Sequence, residues 1–176
     1  SKLLARLASA GHLFHLSRGL WAFKDRIEPL GLPEYLTMPF PSYVSLQSAL
    51  YYHGMISQIP AMTYAVSISR TKKYKTAMGA VSIHHVHPCF FFGFEAVGRS
   101  SIKMATPEKA LVDFLYFHPA KSKLFRALPE VELSKNFKVK TARNMIRRIR
   151  SARRRNLVRN LFDEFISSGS ASIART

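Results

Sequence analysis

The sequence predicts an α+β fold, and three observations carry that prediction. Apolar residues recur at helical spacing near both ends of the chain. Between about residues 62 and 105 the pattern changes to the alternation that strands require. The helical stretches and the alternating stretches are grouped rather than interleaved, which argues against a doubly wound sheet.

Leu3, Leu4 and Leu7 recur at helical spacing, and Gly11 stops the pattern. Leu13 alternates with His12 and Phe14, Ser17-Arg18-Gly19 makes a turn, and Leu20 to Phe23 runs apolar. A helix followed by a two-stranded hairpin is the expectation. Helix plus basic hairpin is the second half of a winged helix-turn-helix, whose helix enters the major groove while the wing touches the DNA backbone. An ordinary αββ corner gives the same pattern. "DRIEPLGLPEYLTMPFP" holds four prolines and one glycine in seventeen residues, a linker signal. These cues divide the chain into a partial winged-helix module at 1–28, a linker at 29–40, an α+β domain with a mixed sheet and basic C-terminal helices at 41–168, and a frayed tail at 169–176.

Ser42 is placed to cap a helix from Tyr43 to His53 that Gly54 ends, with Leu46, Ala49 and Leu50 as its apolar stripe. "MTYAVSIS" alternates as a strand, and "RTKKYKT" reads as a basic turn. "GAVSIHHV", "PCFFFGFEAVG" and "SSIKMA" are further strands. Thr106 then caps a helix with Pro107 at its first position and Glu108 at the positive end of the dipole. Ala110, Leu111, Phe114, Leu115 and Phe117 form its apolar stripe, and Asp113 falls elsewhere on the surface. Helix start and salt bridges to a basic surface account for Glu108 and Asp113. From Phe137 to Arg159 there is no acid and there are ten Lys or Arg, yet Met145, Ile149, Leu157, Leu161 and Phe165 keep an apolar period. One or two amphipathic helices with a basic outer face follow.

The charge balance is lopsided. The 176 residues carry 27 Lys and Arg against 10 Asp and Glu, a formal net charge of +17. Such an excess favours polyanions, either nucleic acid or an anionic membrane surface. The single cysteine, Cys89, excludes an intrachain disulfide and a four-cysteine zinc site, consistent with a reducing compartment. No apolar run reaches the roughly 18 residues of a transmembrane helix, so a cytoplasmic location without membrane partners is expected. The first 24 residues lack acids, as a transit peptide does, but carry the hairpin signal.

Three basic groups are candidate nucleic-acid contacts. Lys2 and Arg6 lie one helical turn apart, with Arg18 at the hairpin turn. Arg70, Lys72, Lys73 and Lys75 crowd the presumed turn around Tyr74, which would suit phosphate contact and base stacking, or simple solubility. Arg143, Arg147, Arg150 and Arg154 recur at spacings of four, three and four, which places them on one helical face, flanked by Arg148 and Arg155. Like charges so spaced destabilise a helix unless a polyanion neutralises them. "HHVHPC" places His85, His87 and Cys89 on one strand face, but no fourth ligand has sensible spacing, so neither a metal nor another cofactor is expected. The acids are too scattered for a metal-dependent nuclease, and no phosphate-binding glycine loop or nucleophile elbow is present, so no enzyme is expected.

Four segments in order, "LLARLASAGHLFHLSRGLWAF", "PSYVSLQSALYYHGMI", "TYAVSISRTKKY" and "IKMATPEKALVDFLYF", resemble the AbiEi-type antitoxins of type IV toxin–antitoxin systems, first known from abortive phage infection in bacteria and described as predicted transcriptional regulators of viral defence. The resemblance covers roughly residues 3 to 120, and its most specific parts are Arg18 to Trp21, Ser48 to Gly54 and Ala105 to Asp113. It implies a winged-helix domain that represses its own operon by binding DNA. It also implies an α/β antitoxin domain that opposes a nucleotidyltransferase-like toxin without a stable complex. The family's winged domain has further helices before the recognition helix, whereas this chain opens at Ser1, inside that helix. A stand-alone nucleic-acid-binding regulator is the alternative. On the family analogy, deleting residues 1–28 would abolish autoregulation and spare protection.

Overall fold

The structure is a computed structural model that describes residues 2–17, 19–23, 28–98, 102–117 and 130–173. Among them are six α-helices, one two-stranded sheet and one six-stranded mixed sheet. Helix α1 (Lys2–Ser9) leads into an antiparallel hairpin of β1 (Leu13–Ser17) and β2 (Leu20–Phe23), with Gly19 at a φ of +78° beside the turn. The change from helical to alternating period in this stretch is thus real structure.

The hairpin does not stand apart. Leu16 and Ala22 are buried with Leu32 and Leu36 of α2 (Leu32–Thr37) and with Ala65, Val81 and Ile83 of the large sheet. Stripping residues 1–28 would therefore uncover apolar surface, which makes that deletion a poor test of a division of labour.

The large sheet runs β5-β6-β4-β3-β8-β7. Its strands are β3 (Ser42–Val44), β4 (Thr63–Ser67), β5 (Lys72–Thr76), β6 (Gly79–His85), β7 (Phe94–Val97) and β8 (Ile102–Ala105). β3 pairs parallel with β8, and β4 parallel with β6; the other neighbours are antiparallel. Alternation along β4 serves both faces: Ala65 joins the hairpin side, and Tyr64 and Val66 join the larger core. That core is covered by α3 (Leu46–Tyr52), α4 (Pro107–Phe117), α5 (Val139–Arg147) and α6 (Ala152–Ile173).

Two expectations are corrected here. Ser42 opens strand β3 instead of capping a helix; the residue before α3 is Ser45, whose carbonyl accepts the N–H of Ala49. Leu46 then turns with a φ of +54°, a strained value for a side chain of that size, held because Leu46 is fully buried. Gly54 does end α3, by a Schellman motif: Met55 N–H donates to the Leu50 carbonyl and Gly54 N–H to that of Tyr51. The second correction is the basic "turn", which is strand β5, paired antiparallel with β6 from Lys72 opposite Ile83 to Thr76 opposite Gly79.

His84 sits on β6 at 7% exposure, its Nε2 3.0 Å from Ser82 Oγ and its ring 5.2 Å from that of Phe117. Burial, and secondarily the Lys73 ammonium, lowers its pKa from 6.5 to about 4. The folded state thus favours the neutral ring, so His84 contributes its full stability above pH 6.5 and loses it as pH falls toward 4. Urea midpoints are expected to fall across that window by the equivalent of about 3 kcal/mol. A His84→Phe variant should lose that share of the pH dependence; an unchanged profile in the variant would contradict the assignment.

Candidate nucleic-acid interface

The acid-capped helix α4 carries an ionic cluster that is fully enclosed. Thr106 Oγ1 accepts the N–H of Lys109 at 3.3 Å, which starts the helix as its sequence suggests. Every residue from Glu108 to Leu115 is buried, because α3, α5, α6 and β8 all pack on α4. Lys109 Nζ donates to Asp113 Oδ1 at 2.6 Å and to the Phe90 carbonyl at 3.1 Å, and lies 3.5 Å over the Phe90 ring. Asp113 Oδ2 accepts from Tyr43 Oη at 3.0 Å and Ser45 Oγ at 2.8 Å.

Burial pushes the Asp113 carboxyl above its ordinary value and the Lys109 ammonium below its own, each opposed by the partner's charge. Burial, then the Asp113 charge, raises the Tyr43 phenol well above its usual value, so it stays a donor. At 0% exposure neither Lys109 nor Asp113 can meet a substrate. The cluster joins β3, the residue before α3 and α4, a structural task. Asp113 is therefore not a surface salt-bridge residue. Glu108 is buried too, and its Oε1 accepts the N–H of Lys138, the residue that opens α5, at 2.9 Å.

Asp113 is buried together with Lys109, so that pair leaves the surface charge balance unchanged, and Glu108 is buried on a backbone N–H. Glu34 and Asp163 stay at the surface, paired with Lys103 and with Arg143 at 3.0 Å. The surface therefore keeps the strongly basic balance of the composition.

The arginines of the C-terminal region do not form one helical face. α5 ends at Arg147, residues 148–151 break the helix, and α6 begins at Ala152 with Ser151 Oγ accepting the Arg154 N–H. Arg143 and Arg147 lie on α5, Arg150 in the joint and Arg154 on α6. Their environments differ accordingly. Arg143, Arg147, Arg148 and Arg150 are exposed. The Arg148 guanidinium lies 3.6 Å over the Phe92 ring. Arg154 is half-buried, donates to the Tyr116 carbonyl at 2.8 Å and sits 5.2 Å over the Tyr116 ring. Arg155 donates to the Ile149 carbonyl at 2.8 Å.

Arg154 and Arg155 are therefore fasteners of α6. Arg154→Ala is expected to destabilise by about 1–3 kcal/mol, the loss of a charge-assisted hydrogen bond at the C-terminal end of α4. Chemical denaturation would read it, and an unchanged midpoint would contradict that role. The counting by fours across the joint also passed over Arg153 and Arg159, which are exposed on α6 and make no ion pair among the described residues.

On β5, Lys72, Lys73 and Lys75 are exposed along the edge of the sheet, with Arg70 exposed just before them. Lysines on an edge strand also discourage strand pairing with another chain. Tyr74 is not a free stacking platform: its hydroxyl donates to the Leu36 carbonyl at 3.0 Å, its side chain packs on the hairpin-side core, and Lys72 Nζ lies 4.6 Å over its ring. Lys2 and Arg6 are exposed on α1, a helix with no buried residue, and Arg18 lies outside the described residues. Among the described residues, no three of His, Cys, Asp and Glu converge to hold a metal ion, and no helix is long and apolar enough to cross a membrane.

Comparison with protein-family models, with curated proteins and with solved structures finds no match for this chain.

Proposed function

We propose that this chain is the antitoxin of a type IV toxin–antitoxin system: a cytoplasmic, non-enzymatic protein that represses its own operon by binding DNA and opposes a nucleotidyltransferase-like toxin without a stable complex. The observation that carries the DNA-binding part is the α1–β1–β2 unit. A helix with Lys2 and Arg6 exposed one turn apart runs directly into an antiparallel hairpin, the order of a recognition helix and its wing. The uncompensated cations of α5 and α6 add a sequence-independent phosphate surface. The four-segment resemblance to AbiEi-type antitoxins supports the toxin-opposing part.

The test separates the two activities by point substitution, since the hairpin's apolar side belongs to the shared core. Lys2→Ala/Arg6→Ala is expected to relieve repression of a reporter driven by the DNA upstream of this gene. The same variant should still protect cells that co-express a nucleotidyltransferase-like toxin encoded beside it. Full repression by the double variant would exclude α1 as the reader. Absence of a toxin that the wild-type protein opposes would favour the alternative, a stand-alone nucleic-acid-binding regulator.

A further inference from the structure

Beside the joint between α5 and α6 lies a cleft of about 290 Å³, near the lower end of the size range of small-molecule sites, lined by His87, Phe90, Tyr116, Arg148, Arg150 and Ser151 among others. No carboxylate lines it. Cations converge on it from several sides. Arg148 and Arg150 are exposed at its wall, and Arg154 is held behind at the Tyr116 carbonyl. The buried Lys109 is close enough for its titration to sense the Arg148 charge. The first turn of α6 carries no acid to complement the positive end of its dipole.

The Cys89 N–H points at His87 Nδ1 at 3.2 Å, and Arg150 Nη1 lies 3.2 Å from His87 Nε2. A neutral ring accepts at only one of its two nitrogens, so it cannot serve both donors at once. An anionic oxygen beside the Arg150 guanidinium would supply the missing acceptor and leave Nδ1 to the Cys89 N–H.

Phe90 and Tyr116 wall the cleft without an open face for a base: they stack on each other at 4.9 Å, Phe90 is 3% exposed with Lys109 over its ring, and Arg154 lies over Tyr116. Recognition therefore rests on guanidinium forks, an imidazole and a hydroxyl, a donor set that suits the several acceptor oxygens of a phosphoryl dianion. We infer that this cleft binds a phosphomonoester, whether on a free mononucleotide or at the end of a single strand. This goes beyond the duplex binding proposed above, which needs only phosphodiesters.

Isothermal titration with three matched pairs tests it: thymidine 5′-monophosphate against thymidine, 5′-phosphorylated against 5′-hydroxyl oligothymidylate of about ten nucleotides, and inorganic phosphate against chloride. The phosphorylated member is expected to bind at least about tenfold more tightly, the factor that follows from one charge-assisted contact of about 1.4 kcal/mol. Both Arg150→Ala and His87→Asn should abolish that preference; the Asn retains an acceptor for the Cys89 N–H, and both positions are exposed, so the fold is spared. A preference for the mononucleotide as well as the strand identifies a free nucleotide as ligand, and a preference in the strand alone identifies a strand end. Equal binding within every pair overturns the inference, as does a preference that survives both substitutions. A preserved preference in a protein that fails to bind duplex DNA would sink only the operator-binding proposal.

Discussion

Replacing Asp113 with Asn is expected to lower the stability of the protein by about 3–5 kcal/mol, because it leaves the Lys109 ammonium enclosed without a counter-charge. For a chain of this size the melting temperature should drop by roughly 10 °C or more. Lys109 cannot reach water at 0% exposure, its Nζ is held between Asp113 and the Phe90 carbonyl, and the Phe90 and Phe92 rings close over it. The Gly93 backbone packs against the same side chain so closely that a Cβ there would lie 3.0 Å from Lys109 Cγ. The Asn amide would also confront the Tyr43 hydroxyl and Ser45 hydroxyl with one fewer acceptor oxygen. Lys109→Met with Asp113→Leu removes both charges and should recover a large part of the loss, limited by the orphaned hydroxyls of Tyr43 and Ser45. Urea denaturation at neutral pH decides it. A single Asn variant within about 1 kcal/mol of wild type, the size of an ordinary surface substitution, would show that the pair holds nothing together.

Much of the fold was legible because period and punctuation agreed. Thr106, Pro107 and the following apolar run placed α4, and clean alternation placed β4 and β6. The failures have particular physical causes. Ser42 and Ser45 are both plausible caps three residues apart, and only the pairing of Tyr43 with Val66 and of Val44 with Met104 chooses between them. "KKYK" has too little apolar content to announce a strand; β5 exists because it borrows its partner from β6 and packs only Tyr74 inward. The break after Arg147 carries neither Gly nor Pro, and Ser151 alone marks the restart of the helix, so counting by fours ran across it. Lys109 went unremarked and Asp113 was assigned to the surface, since an i,i+4 Lys–Asp pair usually points to solvent. Only tertiary enclosure on all sides of α4 makes it a core pair, and a local pattern does not carry that information.

The second large effect concerns the basic surface. Arg147, Arg153 and Arg159 are exposed, lie on α5 and α6, and make no ion pair among the described residues; Arg147 makes only a 3.4 Å contact with Asn144. They are also outside the phosphomonoester cleft. Their joint replacement by Ala should leave stability within about 0.5 kcal/mol, as for surface positions generally. It should nonetheless weaken binding to duplex DNA of any sequence, because phosphates carry no base identity.

The function proposed above has this chain hold nucleic acid through exposed arginines of α5 and α6 that no acid pairs among the described residues. The logarithm of affinity for a short duplex, followed against the logarithm of salt concentration for the wild-type protein and the Arg147→Ala/Arg153→Ala/Arg159→Ala variant, tests it most directly. At about 0.9 per phosphate contact, the three substitutions are expected to flatten the slope by about two to three units. An identical slope and affinity in the folded variant, or a wild-type affinity that does not respond to salt, would contradict the account.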